Sequence, residues 1–303
     1  MLEELNKELL TVKDWVRWGA SRFNRAQLFF GHGTDNAWDE CALLVLWAIS
    51  QPWQSLESIY DCRLTIDEKK RIFQLVCKRI KEKVPAAYLT GEAWFGGLRF
   101  EVDANVLVPR SPIAELLTNH LEPWLQQPPK TVLDMCTGSG CIGILCAHVF
   151  PECQVDISDI SKKALRVASR NIDTYSLADQ VTTIESDLFE APHFIGQRYD
   201  VILSNPPYVD AADLANMPAE YHAEPVLGLA AGEDGLAIAR RLLKEAGKHL
   251  HKNGLLIMEV GNSWAALEHA YPEVPFMWVE FENGGHGVCI LTAEQLHQYN
   301  NSF

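Results

Sequence analysis

Paired cysteines are absent. The eight cysteines, at positions 41, 62, 77, 136, 141, 146, 153 and 289, include no C-x-x-C pair, so neither a zinc site nor a redox couple is indicated and reduced, mostly buried thiols are expected. Long apolar runs are absent as well: the longest, residues 41–49, is about half of the roughly 20 residues that a membrane span requires. The first ten residues are acidic and amphipathic where a secretory leader would be basic and then apolar, so a cytoplasmic protein without membrane association is expected. Basic residues are few, 26 against 40 acidic ones, for a formal charge of −14. The deficit is uneven, because residues 1–83 hold 13 Lys and Arg against 12 Asp and Glu, leaving 13 against 28 for residues 84–303. An acidic second part repels a phosphate backbone, so no direct DNA binding is expected, and it attracts a basic protein partner. The ten histidines are scattered, and no metal is assigned.

What is present suits a two-domain globular chain: 303 residues, 48% of them apolar and 22% charged. Residues 2–83 read as helix, with Leu2, Leu5, Leu9 and Val12, and later Ile72, Leu75, Val76 and Ile80, recurring at helical spacing. A small helical bundle over 1–83 is expected. Gly91, Gly96 and Gly97 around Phe95, Leu98, Phe100 and Val102 predict a β-hairpin linker over 84–104. Over 105–303, strand-like runs at 131–135, 154–157, 181–184, 199–204 and 255–260 alternate with helical runs at 142–149, 162–172 and 236–250. Alternation of this kind predicts an α/β domain with a parallel sheet. The runs 278–281 and 288–292 around Gly284 and Gly285 add an antiparallel hairpin at one edge, making a mixed seven-stranded sheet.

The first of these strands runs into Asp134, Cys136, Thr137, Gly138, Ser139 and Gly140 and then a helix. Glycines there let the backbone approach a ligand, and the free N–H groups of a helix start favour an anionic group. Gly138, Gly140 and Gly143 also fit G-x-G-x-x-G, with Asp159 in place for a ribose, which alone would equally suit a nicotinamide dehydrogenase. Asp134, ahead of the glycines, is placed to accept a hydrogen bond from the amino group of an amino-acid moiety, which NAD lacks. Asp187 and Leu188, after the third strand, suit an adenine amino group and ring. Three acids after three successive strands border one crevice. The fourth strand ends in Asn205, Pro206, Pro207 and Tyr208, a stiff loop whose carbonyls can accept both protons of a planar amide or aromatic amine. Asn205 and the Pro206 carbonyl would fix the acceptor nitrogen, with Tyr208 stacked on the planar group. The combination points to methyl transfer from S-adenosylmethionine. Asp134, Thr137, Gly138, Gly140, Asp159, Asp187, Leu188 and Asn205 are the expected donor-site residues, and Asn205, Pro206, Pro207 and Tyr208 the acceptor site, with Asn205, Pro206 and Tyr208 catalytic.

Further motifs are Pro85-Ala86-Ala87-Tyr88-Leu89-Thr90-Gly91, Phe95-Gly96-Gly97-Leu98-Arg99-Phe100, Val102-Asp103, Val106-Leu107-Val108-Pro109-Arg110 and Glu115. With the glycine turn, Asp159, Asp187 and the Asn205 loop, they resemble the protein-(glutamine-N5) methyltransferases nearly end to end. That resemblance implies an N-terminal helical substrate-recognition domain, a hairpin linker and a class I (Rossmann-like) methyltransferase domain. One branch of the family acts on peptide-chain release factors and another on large-subunit ribosomal protein L-three. Ser111-Pro112-Ile113-Ala114-Glu115 after Arg110, Glu220-Tyr221-His222-Ala223-Glu224-Pro225, and the ending Glu282-Asn283-Gly284-Gly285-His286-Gly287-Val288 are similar to the ribosomal branch. A basic ribosomal protein, free or on the assembling ribosome, is then the implied partner. The alternatives are the release-factor branch, a DNA adenine-N6 methyltransferase, which shares Asn-Pro-Pro-Tyr, and a non-catalytic nucleotide-binding module of a larger assembly.

Overall fold

The computed structural model describes residues 2–303; the side chain of Leu2, part of the helical stripe read above, lies outside the described residues. The chain divides into two compact units, Met1–Glu92 with Pro218–Ala223, and Ala93–Met217 with Glu224–Phe303. This differs from the expected division at 83 and 104. The short helix Ala86–Thr90, closed by Gly91 at positive φ, belongs to the first unit, and Ala86 lies in its core. The hairpin beyond it is no free-standing linker, because Phe95 and Phe100 are buried in the core of the second unit. Apolar side chains decide the boundary here, where the glycines predict a hairpin linker between the two domains.

The first unit is helical. Its main helices are Val12–Arg25, Ala37–Ala48 and Ile66–Glu82. Thr11 with Asp14, and Thr65 with Glu68, form capping boxes at the starts of the first and third, satisfying N–H groups that would otherwise be orphaned. Val12, Trp15, Val16, Phe23, Leu44, Val45, Ile72 and Val76 make the core. At Gly19 a Cβ would lie 2.3 Å from the Cys41 sulfur, so Gly19→Ala would push two helices apart at a cost of about 1–3 kcal/mol. Trp15 is fully buried, whereas Trp38, Trp47 and Trp53 are exposed.

The second unit carries nine strands' worth of pattern, counting one residue of the preceding unit: β1 (Glu92–Phe95), β2 (Leu98–Glu101), β3 (Thr131–Met135), β4 (Gln154–Asp159), β5 (Val181–Glu185), β6 (Tyr199–Ser204), β7 (Leu250–Glu259), β8 (Met277–Trp278) and β9 (Val288–Thr292). β1 and β2 form a hairpin, and the other seven form one sheet in the order β5-β4-β3-β6-β7-β9-β8. The first five of that order are parallel; β9 and β8 are antiparallel to their neighbours. Successive residues of a strand face opposite sides. Val201 and Leu203 therefore enter one core with Ile142, Leu145 and Ile157, while Ile202 enters the other with Leu133, Leu242 and Met258. The helix expected over 236–250 is shorter, Ala237–Ala246, because Leu250 is already paired with Tyr199 as the start of β7. Among the described residues no helix is long and apolar enough to cross a membrane.

Candidate active site

β3 is the first strand of the unit's sheet in chain order, and its sheet neighbours β4 and β6 lie on opposite sides of it. Connections leave in both directions there, which opens a crevice at the carboxyl ends of the strands. The registers bring those ends level: Met135 pairs with Ser158 and with Ser204, and Asp159 with Glu185. The glycine turn after β3, Asp159 at the end of β4, Asp187 just beyond β5 and Asn205 just beyond β6 thus emerge along one rim. Ser204 ties two of them together, its hydroxyl donating to the Met135 carbonyl at 2.8 Å.

In the glycine turn, Gly138 and Gly140 have φ of +58° and +82°, and a Cβ at Gly138 would meet nothing within 4 Å. The turn is a cradle with open space before it. Gly143 serves packing, since its Cβ would lie 2.4 Å from Ile157. Asp134 is fully buried, and its Oδ2 accepts from the Thr137 hydroxyl and from the Gly143 N–H. Its Oδ1 is buried with no hydrogen-bond partner among the described residues. Burial pushes this carboxyl up to about 7, against the lowering effect of the Thr137 and Gly143 hydrogen bonds. Thr137 is itself buried, so its hydroxyl orients Asp134 from within the protein. Asp159 accepts from Gly138 N–H at 2.9 Å and from Ser161 N–H at 2.8 Å, which fixes both oxygens beside the cradle. Burial raises its pKa in spite of those two bonds.

Asp187 is partly exposed and accepts from Arg241 at 2.8 Å, a partner that sequence spacing did not reveal. Leu188 has φ of +51° and is buried, packing with the cluster that contains Ile184 and Phe194. Its side chain therefore supports the rim from below, and little of it faces outward. Asn205 and Pro207 are half-buried and Pro206 is buried.

Tyr208 is seated on three sides. Its hydroxyl donates to Glu259 at 3.1 Å, its carbonyl accepts from the Ser263 hydroxyl at 2.7 Å, and its ring lies where a Cβ on Gly261 would come within 2.4 Å. Glu259 also accepts from Ser111 at 2.6 Å, is 5% exposed, and is pushed by burial up to about 7. Sequence reasoning passed over Glu259. The signal was there, since it is an acid at the end of a predicted strand, as Asp134 and Asp159 are. Glu115, by contrast, accepts from the Glu282 and Asn283 N–H groups, and Gly285 lies against Pro112. Two motifs of the sequence thus meet as one structural corner. Among the described residues no group of three His, Cys, Asp or Glu could hold a metal ion.

A mixed seven-stranded sheet with a glycine cradle and aligned acids at its switch point defines a methyltransferase of the class I, Rossmann-like fold. Residues 112–220 match the family model described as Methyltransferase small domain. The ribosomal protein uL3 glutamine methyltransferase of Francisella tularensis is 45% identical over 99% of this chain and 96% of its own length. That of Bordetella pertussis is 45% identical over 96% and 98%. Among solved structures, the hMettl16 catalytic domain crystallised with an RNA hairpin aligns with a TM-score of 0.49 and 15% identity over 74% of this chain and 80% of that one. The chain belongs to the ribosomal protein uL3 glutamine methyltransferase family.

Proposed function

We propose that this chain transfers a methyl group from S-adenosylmethionine to the side-chain amide nitrogen, N5, of a glutamine in large-subunit ribosomal protein uL3. The observation that carries the chemistry is the pairing of Met135 with Ser204, which sets the residues after β3 and those after β6 side by side. The residues fit the donor: the unpartnered Oδ1 of Asp134 suits an amino group, and the cradle at Gly138 admits a bulky ligand close to the backbone. Gly138, Gly140 and Thr137 would shape that end, Asp159 would take the ribose hydroxyls, and Asp187 and Leu188 would border the adenine. When bound, the donor would supply a methyl group on a positively charged sulfur, the S–CH3 bond breaking as the N–CH3 bond forms and leaving the neutral thioether S-adenosylhomocysteine. The protein's task is alignment. The Asn205 side-chain carbonyl and the Pro206 backbone carbonyl accept the two N–H groups of the acceptor amide, holding its weakly nucleophilic nitrogen at one place and angle, and one of those protons is lost after transfer.

A pocket built around one glutamine side chain has no means of choosing among proteins, so selectivity rests on surface outside it. The helical unit, with Trp38, Trp47 and Trp53 exposed, is assigned that recognition. The acidity of residues 84–303 suits a basic acceptor. The test is incubation with labelled donor and, separately, purified uL3, assembling ribosomal particles, release factors and adenine-bearing duplex, followed by mass-spectrometric mapping. Label on a uL3 glutamine is expected. Label confined to release factor or to DNA would overturn the proposal.

A further inference from the structure

We propose that Glu259 is a positioning residue for methyl transfer: its carboxylate, set by Ser111, holds the Tyr208 hydroxyl and so fixes the loop that receives the acceptor amide. The proposal rests on the reading of residues 205–208 as the acceptor loop. β6 and β7 pair with Ser204 opposite Met258, so Asn205, just beyond β6, and Glu259, the last residue of β7 and still paired with Val288 of β9, lie at the same level. Glu259 ends β7 with its carboxylate buried. One oxygen accepts from Tyr208 at 3.1 Å and the other from Ser111 at 2.6 Å. Ser111 is buried too, and the Ile113 N–H donates to its hydroxyl at 3.2 Å. The chain is therefore Ile113 N–H to Ser111, Ser111 to Glu259, and Tyr208 to Glu259, anchored at the start of the helix Ile113–Thr118.

The rest of the socket points the same way. Gly261 and Gly235 both have positive φ, and a Cβ at either would collide with Tyr208, at 2.4 Å from the ring for Gly261 and 2.4 Å from the carbonyl for Gly235. Ser263 donates its hydroxyl to that carbonyl at 2.7 Å. Hydroxyl, ring and backbone of Tyr208 are thus each held by a different residue. Burying a carboxylate is costly unless its oxygens are hydrogen-bonded, and here each oxygen accepts from one hydroxyl. What the carboxylate adds is direction, since it accepts from two hydroxyls at once. The two prolines stiffen the loop after Asn205, and Glu259 secures its far end. A loop clamped at both ends keeps Asn205 aligned without reorganising during the reaction, and misplacement by about 1 Å at such a centre costs on the order of 10²-fold in rate.

Steady-state kinetics, calorimetric donor titration and thermal melts on the full-length protein test this with uL3 as acceptor. The variants are Asn205→Ala, Glu259→Leu, Glu259→Gln, Tyr208→Phe and the double variant Glu259→Leu with Tyr208→Phe. Glu259→Leu should lower kcat about tenfold or more while donor affinity stays within about twofold. Glu259→Gln should restore most of kcat, because its amide oxygen still accepts from Tyr208. The double variant should be no slower than the slower single one, since both remove the same hydrogen bond. Wild-type kcat in Glu259→Leu, equal losses in the Leu and Gln variants, or losses that multiply in the double variant would overturn the proposal. Should Glu259→Leu not fold, Ser111→Ala alone and with Tyr208→Phe carries the same comparison. Asn205→Ala separates the two readings: retained turnover there defeats the acceptor-loop reading, whereas its collapse beside an unaffected Glu259→Leu defeats the positioning role alone.

Discussion

Arg110 and Glu224 meet as a two-pronged ion pair, with Nη1 on Oε1 and Nη2 on Oε2, each at 2.7 Å. Glu224 is buried, and the same Oε1 accepts from the Val108 N–H at 3.0 Å. The planar guanidinium matches both carboxylate oxygens, which the point charge of a lysine does not do. Arg110→Lys is therefore expected to lower stability by about 1–3 kcal/mol in urea unfolding. An unchanged midpoint and slope would show that the pairing contributes nothing to the fold.

Asp134 governs a pH dependence. Its folded pKa of about 7 lies above the ordinary 3.8, so the ligand-free protein holds this proton more tightly than the unfolded chain does. The associated stability is present below about pH 4 and lost as pH rises toward 7. The melting temperature of the wild type should accordingly fall over that window relative to Asp134→Asn. Donor binding has the opposite sign, because the ionised carboxylate is the better acceptor for an amino group. Wild-type donor affinity should rise from pH 6 to 8, and Asp134→Asn should be weaker and flatter; parallel profiles would remove Asp134 from the donor site.

Asp159 is expected to bind the ribose hydroxyls. Both of its oxygens are oriented by backbone N–H groups, and a charge-assisted hydrogen bond contributes about 1.5–3 kcal/mol. Asp159→Ala should weaken donor affinity by roughly one to three orders of magnitude in calorimetry. Titration with NAD in parallel checks the dehydrogenase reading of the glycine turn, and tighter binding of NAD than of S-adenosylmethionine would revive it.

Asn205→Ala should reduce turnover by about 10²-fold or more while donor affinity changes far less, as for loss of one preorganised hydrogen bond to a reacting group. Equal losses in rate and donor binding would move Asn205 to the donor side. Asn205→Asp should fall short of full rescue, since a carboxylate facing a sulfonium strengthens ground-state binding without improving alignment.

Arg79 joins distant parts of the helical unit. It is fully buried and donates to Glu40 at 2.7 Å, to Glu220 at 3.2 Å and to the Phe29 carbonyl at 2.8 Å. Burial pushes Glu40 up in spite of Arg79, whereas at Glu220 burial is outweighed by the Phe29 N–H and by Arg79, and its pKa is lowered. Arg79→Met would leave two buried carboxylates without their cation, at a cost of about 3–5 kcal/mol measured by denaturant unfolding. Loss of less than about 1 kcal/mol would show that the carboxylates find other partners. Deleting residues 1–83 would remove Arg79 and strip the partners from Pro218–Ala223. Recognition by the helical unit is better tested by Trp38→Ala, Trp47→Ala and Trp53→Ala, which should raise KM for intact uL3 and leave donor affinity unchanged.

Residues close in sequence carried most of what could be read in advance. Gly138 and Gly140 follow a strand and open a helix, and Asn205 follows a strand and precedes two prolines; both patterns are complete within about ten residues. The acids Asp159 and Asp187 were legible as strand ends for the same reason. The boundary at 84 was misplaced because the glycines near Phe95 signal a turn, and a turn's composition is blind to which core its aromatic residues enter. Tyr208 was legible as part of the loop and Glu259 as an acid at a strand end, but that they meet, with Gly261 and Ser263 beside them, was not.

By itself, then, the sequence determined the local units of this protein: the capped helices, the alternating strands, the glycine cradle and the stiff Asn205 loop. Each follows from short-range periodicity, capping or backbone restriction. Tertiary structure decided which units share a site and what holds them there. Tyr208 and Glu259 are 51 positions apart, Arg110 and Glu224 114, and Arg79 and Glu220 141. Nothing periodic links such pairs. They come together because sheet register and the need to satisfy buried charge select one arrangement among many compatible with the same local pattern.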